Sequence, residues 1–328
     1  MAKSTKVFAV IFSLIALSLQ CAASATAADN RKAVRLKVGY ASISGNRIPL
    51  WATQDMKFFS RNGLDAELIF IASSSQGMPA LLSGEVPIYS GSFDTAAQAA
   101  AAGADLVIIG SSEPTPYKLI VKPDIKSVAE LRGKKVGIDR IGGASYYATR
   151  RILAKLGLKP EDVEYMQVTG GGNQRVAAFH SGVLSAVVST VERFERAGIP
   201  YRALADAVDL GIRIIGNAYI TTRSFRDQNR DTVQRFIKAL VEGTHWVKDP
   251  KNRSAVKQLV SRRLRTDDPA VLELNYRMYV EPLSPFPDTD LDDLKTNLAQ
   301  LAENNARLRD LDLARFVDNS FIQRLQRR

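Results

Sequence analysis

The 328-residue chain reads as a two-lobed α/β protein with mostly parallel sheets and a helical C-terminal tail. Three observations predict this. First, Lys37-Val38-Gly39-Tyr40 returns as Lys135-Val136-Gly137-Ile138, and Leu82-Ser83-Gly84 as His180-Ser181-Gly182, both at a shift of 98 residues. That spacing exceeds any solenoid period and reads as two similar lobes rather than an array, although shared punctuation of α/β units could produce an echo by chance. Asn62-Gly63-Leu64 against Leu156-Gly157-Leu158, and Ala102-Gly103 against Ala197-Gly198, recur at slightly shorter shifts, as small loop deletions would leave them. Second, strand-like and helix-like runs alternate as far as Thr221, which calls for parallel strands with helices on both faces. Third, from Asp231 onwards nearly everything reads as helix, interrupted at Asp249-Pro250, Asp268-Pro269 and residues 282–287.

The elements follow in order. A strand over residues 35–40 leads into the loop 41–46. A helix starts near Pro49, a favoured first-turn residue, and carries Leu50, Trp51, Phe58 and Phe59 on one stripe until Asn62-Gly63 ends it. Residues 64–71 form a strand, 79–83 a short helix stopped by Gly84, and 86–89 the next strand. Ser90-Gly91-Ser92 leads into an Ala-rich helix with Asp94 as its expected cap. Gly103 ends that helix, and residues 106–109 form another strand. The pattern then repeats, with strands at 118–121, 135–139, 163–168 and 186–189 and helices at 128–131, 145–156 and 175–181. The chain is expected to cross between lobes at 117–121 and 214–220. Lobe 1 would then hold residues 32–116 plus 218–328, and lobe 2 residues 117–217. A two-segment hinge of this kind lets lobes rotate as rigid bodies.

The N-terminus reads as a targeting segment. Lys3 and Lys6 precede an apolar run over residues 7–19, and small residues follow, with Ala23-Ser24-Ala25 and Ala25-Thr26-Ala27 as cleavage patterns. The run is shorter than the roughly 20 residues of a membrane span. Cys21 follows the bulky Gln20, where a lipobox takes a small residue. A signal peptide over residues 1–27, cleaved on export to the periplasm, is therefore expected. Its removal takes away Lys3, Lys6 and the single cysteine, leaving 43 Lys+Arg against 34 Asp+Glu. Without disulfides the core alone must hold the fold, and 45% hydrophobic content is enough for two lobes. The basic residues are spread out, with no basic block or base-stacking motif, so nucleic acid is not an expected partner. A mildly basic surface favours anionic small molecules by long-range attraction.

Ligands of parallel α/β sheets bind beyond the carboxyl ends of the strands. Five loops of small and polar residues occupy that position: 42–46, 90–95, 111–115, 141–145 and 170–173. From them come the candidate ligand-binding residues Ser44, Asn46, Ser90, Gly91, Ser92 and Asp94, together with Glu113, Gly142, Gly143, Ser145, Tyr146, Gly172 and Asn173. Thr190, just after the strand 186–189, completes the set. Helix N-termini with free N–H groups hold anions without a buried cation, and 90–92 and 142–145 fit that role. Each loop could equally be a tight turn; it is their convergence that favours a pocket. Asp94 either touches the ligand or caps its helix. Glu113 either accepts a hydrogen bond from an amine or ring nitrogen, or is a solvated loop carboxylate. One of Tyr146 and Tyr147 could stack on the ligand while the other packs. Arg47 and Arg140 could pair with a carboxylate or sulfonate. Catalytic constellations are nearly absent. His180 and His245 read as packing or surface residues, and two distant histidines without a cysteine do not make a zinc site. Residues 170–173 lack both the dinucleotide and the phosphate-loop patterns, and no nucleophile elbow occurs. No metal or cofactor is expected.

Several stretches carry a family resemblance. They are Gly45-Asn46 with Pro49-Leu50-Trp51, Phe58-Phe59 with Asn62-Gly63-Leu64, and Ala80-Leu81-Leu82-Ser83-Gly84-Glu85-Val86. Further along come Ala102-Gly103-Ala104-Asp105-Leu106-Val107, Leu131-Arg132-Gly133-Lys134-Lys135-Val136-Gly137, Asn229-Arg230-Asp231 and Phe316-Val317-Asp318-Asn319-Ser320-Phe321. In these the chain resembles the periplasmic solute-binding proteins of ABC importers in the nitrate/sulfonate/taurine class, a group overlapping in fold with thiamine-pyrimidine synthase-like proteins. The resemblance spans nearly the whole mature chain. It implies a periplasmic-binding-protein (Venus-flytrap, type II) fold and a monomeric, non-enzymatic receptor. Such a receptor captures a small anionic organic solute between its lobes and delivers it to an ABC permease. Family members often carry Gly-Ser and then an acidic position where this chain has Gly143-Ala144-Ser145-Tyr146-Tyr147. The lost hydroxyl and added rings suit a larger, aromatic or heterocyclic anion. An enzyme on the same fold, such as a pyrimidine-precursor synthase, would carry the family's cysteine-rich motif, which the mature chain lacks. A sensor domain feeding a membrane kinase is the third reading.

Overall fold

The computed structural model describes residues 33–112, 115–141, 144–212, 214–215, 217–302 and 305–327; the expected leader falls outside them. Among the described residues, strands form two five-stranded sheets. The first runs in the order β2 (Leu64–Phe70), β1 (Val34–Tyr40), β3 (Ile88–Gly91), β10 (Ala218–Thr222), β4 (Leu106–Ser111). The second runs β7 (Glu164–Gln167), β6 (Lys135–Ile138), β8 (Ala186–Ser189), β5 (Lys118–Val121), β9 (Arg202–Asp206). The two orders are one topology used twice. β1 pairs in parallel with β2 and β3, as β6 does with β7 and β8. β10 runs antiparallel to β3 and β4, as β5 does to β8 and β9. Each sheet is therefore mixed, and the reversed strand is the one by which the chain enters that sheet from the other.

The 98-residue echo joins β1 to β6, which hold equivalent places. Both carry a glycine under a neighbouring side chain. A Cβ at Gly39 would lie 2.6 Å from Cδ2 of Tyr89, and one at Gly137 would collide with Cδ1 of Leu184. Gly39→Ala and Gly137→Ala should each destabilise the protein by about 1–3 kcal/mol through overpacking, read by chemical denaturation.

Local chemistry moves several expected boundaries. The helix expected from Pro49 to Arg61 is two helices, α1 (Ile48–Asp55) and α2 (Phe58–Arg61), because Lys57 takes a left-handed conformation at φ 62°. Both halves still bury their apolar stripe against α9 (Arg230–Lys248), with Phe59 stacked on Phe236 at 5.6 Å. The helix expected at 79–83 begins earlier, as α3 (Ser74–Leu82), because the Ser73 hydroxyl accepts from the Gln76 N–H and caps it. α4 (Phe93–Ala101) is capped by Ser92, whose Oγ accepts from the Thr95 N–H; Asp94, the expected cap, lies within the first turn instead. α5 (Ala144–Lys155) and α6 (Gly172–His180) answer to expected helices, whereas α7 (Glu192–Ala197) and β9 had no counterpart in the sequence reading. The tail is helical: α8 (Arg223–Gln228), α9, α10 (Arg253–Leu264), α11 (Pro269–Tyr279), α12 (Leu291–Ala302), α13 (Leu313–Phe316) and α14 (Ser320–Gln326). No helix among the described residues is long and apolar enough to cross a membrane.

The connections between the sheets, at 112–117 and 207–217, lie side by side. The Ser112 N–H donates to the Asn217 carbonyl and the Thr115 N–H to that of Ile214, each at 2.9 Å. The lobes are closed on each other. Tyr147 of α5 is buried in the same core cluster as Phe93, Ala97 and Leu294 of the first lobe, and its hydroxyl accepts from Gln98 Nε2 at 2.8 Å. Arg151 Nη1 donates to Asn297 Oδ1 at 2.7 Å. On the other flank, Ser44 Oγ donates to Glu192 Oε1 at 3.3 Å.

Candidate functional site

A cleft of about 110 Å3 lies between the sheets. Its walls come from the carboxyl ends of parallel strands: Ser42 after β1, Ser73 and Ser74 after β2, Ser92 after β3, Asp139 after β6 and Gly172 after β7. The reversed strands present their amino ends there instead, which adds Tyr117 and Asn217. Helices α3, α4, α5 and α6 all begin at this cleft, so the positive ends of their dipoles converge on it. α6 has no side-chain cap, which leaves its first N–H groups open to a ligand. Gly171, at φ 100°, is the turn into that helix, a conformation that favours glycine.

Arg47 is the buried cation of the site, 1% exposed. Gly45 opens the short turn that carries it and packs so closely on the Tyr279 ring that a Cβ would collide. The Arg47 Nε donates to Ser42 Oγ at 3.2 Å, Nη1 to Ser90 Oγ, and Nη2 to Asn217 Oδ1 at 2.5 Å. Among the described residues it has no carboxylate partner. Burial lowers its pKa to about 10, so it stays charged at neutral pH. A guanidinium has five N–H groups, and these bonds leave some uncommitted. Across the cleft, Arg175 of α6 has its Nη1 shielded from solvent without a hydrogen-bond partner. Burial lowers its pKa, while Asp139 pulls the other way. Asn217 Nδ2 is likewise buried and unpartnered. Arg193 completes the basic wall beneath Gly172, where a Cβ would stand 2.9 Å from its Cζ; its Nε lies 3.8 Å from Glu192 Oε1. Unpaired buried donors and an unpaired buried cation are costly, and an anion in the cleft would satisfy both.

A family model described as NMT1/THI5 like matches residues 44–253, from the turn before Arg47 to the start of α10. The chain belongs to the NMT1/THI5-like family. This agrees with the resemblance read from the sequence. A Bacillus subtilis (strain 168) protein, provisionally named as the binding protein YtlA, is 24% identical over 277 residues, 81% of each chain. An Escherichia coli (strain K12) protein carries the provisional name of an aliphatic sulfonates-binding protein. It is 28% identical over 217 residues, 64% of this chain and 63% of its own length. The alkanesulfonate-binding protein SsuA of Xanthomonas axonopodis pv. citri, solved bound to MOPS, superposes with a TM-score of 0.73 at 21% identity. That match covers 87% of this chain and 98% of the other, and it establishes the two-lobed fold.

In this NMT1/THI5-like chain the expected site residues fall into groups. Asn46, Ser92, Ser145 and Gly172 line the cleft. Ser145 is already engaged: its Oγ donates to Asp139 Oδ1 at 2.6 Å and accepts from the Asp139 N–H at 2.7 Å. Ser90 lies behind the lining and anchors Arg47. Gly91 sits below the Tyr89 ring, Thr190 is buried, and Ser44 bridges the lobes. Asn173 is exposed, its Oδ1 accepting from Arg193 Nη1 at 3.1 Å and Arg196 Nη2 at 3.0 Å. Tyr146 packs edge-on against Tyr165 and Tyr147, at 5.1 and 5.4 Å, outside the cleft lining. Glu113, Gly142 and Gly143 lie outside the described residues. Arg140 and His180 are exposed, and His245 packs on Phe286 at 5.4 Å. The sequence reading missed Arg175, Arg193, Asp139, Tyr117 and Asn217.

Asp94 sits behind the cleft, 3% exposed, with Oδ1 unpartnered. Burial raises its pKa from 3.8 to about 7; Arg151 lowers it and Asp139 raises it, both from the second lobe.

Proposed function

We propose that this protein is a non-enzymatic, extracytoplasmic receptor that captures a small organic anion between its lobes and delivers it to the permease of an ABC importer. The observation that carries this reading is Arg47, buried without a carboxylate partner among the described residues and facing the same cleft as the unpartnered donors of Arg175 and Asn217. The names of two of its relatives, which are binding proteins, and the leader-like N-terminus support the same reading. Arg47 sits in the turn after β1 of the first sheet and Arg175 on α6 after β7 of the second, so a ligand touches both only when the lobes are closed. Its binding energy then shifts the population towards the closed state. In that state Ser44 meets Glu192 and Gln98 meets Tyr147, and a permease can distinguish the two shapes. Tyr146 and Tyr147 pack away from the lining, so neither stacks on the ligand, and the acidic head is held by arginines, hydroxyls and helix N-termini.

A thermal-shift panel of carboxylates, sulfonates, phosphates and nitrate, set beside neutral and cationic solutes, tests the charge preference. Stabilisation by anions is expected. Stabilisation confined to neutral or cationic compounds would refute the reading. With a stabilising anion in hand, X-ray scattering should give a smaller radius of gyration at saturation than without ligand.

A further inference from the structure

Each lobe lends a side chain to the core of the other. Tyr147 lies on α5, between β6 and β7 of the second sheet, yet its ring belongs to a core cluster of the first lobe and to neither cluster of the second. That cluster includes Phe93 of α4, Ile108 of β4, and Leu294 and Leu298 of α12, and within it Tyr147 is 7% exposed. The exchange is returned on the other flank. α11 rests on the first lobe through Tyr276, Tyr279 and Val280, but its Leu274 packs against the second-lobe cluster that holds Val176, Phe179 and Phe194. Met278, one turn further along the same face, packs against both clusters. We infer that Tyr147 and Leu274 are reciprocal plugs that hold part of the ligand-free protein closed, and so set the affinity of the cleft without touching its ligand. The inference rests on the receptor reading in taking the lobes to open and close, and deepens it: how tightly the cleft holds any solute is regulated from outside it.

Parting the lobes withdraws both side chains into water, so their burial contributes only in the closed state. The socket for Tyr147 is assembled in advance. Asn305 Nδ2 donates to Gln98 Oε1 at 2.7 Å, and Gln98 Nε2 donates to the Tyr147 hydroxyl at 2.8 Å. Gln98, on α4, and Asn305, after α12, both sit on the first-lobe side of this contact. Their bond therefore holds the amide in place while the lobes are apart, and little ordering is lost when the ring enters. Neither Tyr147 nor Leu274 lines the cleft. Their effect is then the same whichever solute the cleft holds, because an apparent dissociation constant is the intrinsic one divided by the closed fraction.

X-ray scattering of the full chain without ligand tests this, on Tyr147→Ala, Tyr147→Phe and Leu274→Ala beside the wild type. Tyr147→Ala should lower the ratio of closed to open protein by about 10- to 150-fold, the range for exposing one large apolar side chain, and so enlarge the radius of gyration. Leu274→Ala should enlarge it less, because Leu274 is only half-buried. Tyr147→Phe keeps the ring and loses one hydrogen bond, so it should fall between the wild type and Tyr147→Ala. Calorimetric titration with acetate, methanesulfonate, phosphate and nitrate should show Tyr147→Ala weakening every anion that binds by one common factor. Radii equal to that of the wild type in both alanine variants, with unaltered circular-dichroism spectra, overturn the plugs. A loss that differs from one anion to another also overturns them, since it puts Tyr147 in contact with the ligand. Where Tyr147→Ala does not fold, Leu274→Ala on the opposite flank decides by the same radius. Expanded variants together with no binding of any anion overturn the receptor reading and leave the plugs standing.

Discussion

Arg47→Met should weaken binding of the anionic solute by about 30-fold to several thousand-fold while the ligand-free protein stays folded. The range is that of losing one partner from a buried, hydrogen-bonded charge pair, about 2–5 kcal/mol. Two opposing terms act on the ligand-free protein. Methionine removes the bonds that Arg47 makes to Ser42, Ser90 and Asn217, but it also removes a buried cation that has no carboxylate partner among the described residues. The ligand-free melting temperature should therefore move far less than the affinity does. Arg47→Lys should also fail to restore binding, because a single ammonium cannot span Ser42, Ser90 and Asn217 in the plane that a guanidinium fork provides. Calorimetric titration beside thermal melts checks both variants. Wild-type affinity in Arg47→Met, with an unaltered circular-dichroism spectrum, would remove Arg47 from the binding machinery.

Asp94→Asn should raise the melting temperature at pH 8 and leave it nearly unchanged at pH 4. The folded carboxyl titrates at about 7, pushed up mainly by burial, whereas the unfolded one titrates near 3.8. Below the lower value both states are protonated and Asp94 contributes nothing to the pH dependence. Between the two values the unfolded chain releases a proton that the native state keeps, so stability falls as pH rises. Above the higher value the loss is complete. At 1.36 kcal/mol per pKa unit its ceiling is roughly 4 kcal/mol. Asparagine has a similar shape and does not ionise, so it removes this loss. The groups that move the Asp94 pKa, Arg151 and Asp139, belong to the second lobe, so separating the lobes hydrates the carboxyl and lets it ionise. Ligand affinity, which depends on closure, should accordingly be lower at pH 8 than at pH 6 in the wild type, and this difference should shrink in Asp94→Asn. Equal melting curves for wild type and variant at pH 8 would contradict the buried-carboxyl account.

The strands were legible because apolar runs and glycine punctuation act locally. β5 and β8 coincide with their expected spans, and the repeated glycines of β1 and β6 mark equivalent places in two sheets. The errors come from competing local chemistry and from weak patterns. Ser92 and Asp94 are both good caps, and the choice between them depends on backbone geometry that spacing does not encode. Ser73-Ser74-Ser75-Gln76 reads as a loop by composition, yet one hydroxyl bonded to one N–H turns it into the start of a helix. β9 is half exposed, so its sequence, Arg202-Ala203-Leu204-Ala205-Asp206, has little apolar signal. At the site, loops of small hydroxyl residues announced themselves by composition, and Asn46, Ser92, Ser145 and Gly172 do come together. Arg175 and Arg193 did not, because an arginine on an amphipathic helix looks the same in sequence whether it faces solvent or a cleft. Asn217 was hidden for a different reason: its role depends on β10 running backwards between β3 and β4.

That reversed strand also fixes an order of assembly. Every strand of the second sheet lies between Lys118 and Asp206, one continuous stretch of chain. The first sheet cannot close so early. β4 pairs with β10 and with no other strand of its sheet, and β10 begins at Ala218, after the whole of the second sheet has been made. A chain emerging from the ribosome thus holds β1, β2 and β3 together with a stranded β4 for more than a hundred residues. The first half of the sequence becomes the last lobe finished, and synthesis halted anywhere before Ala218 leaves β4 with an open edge.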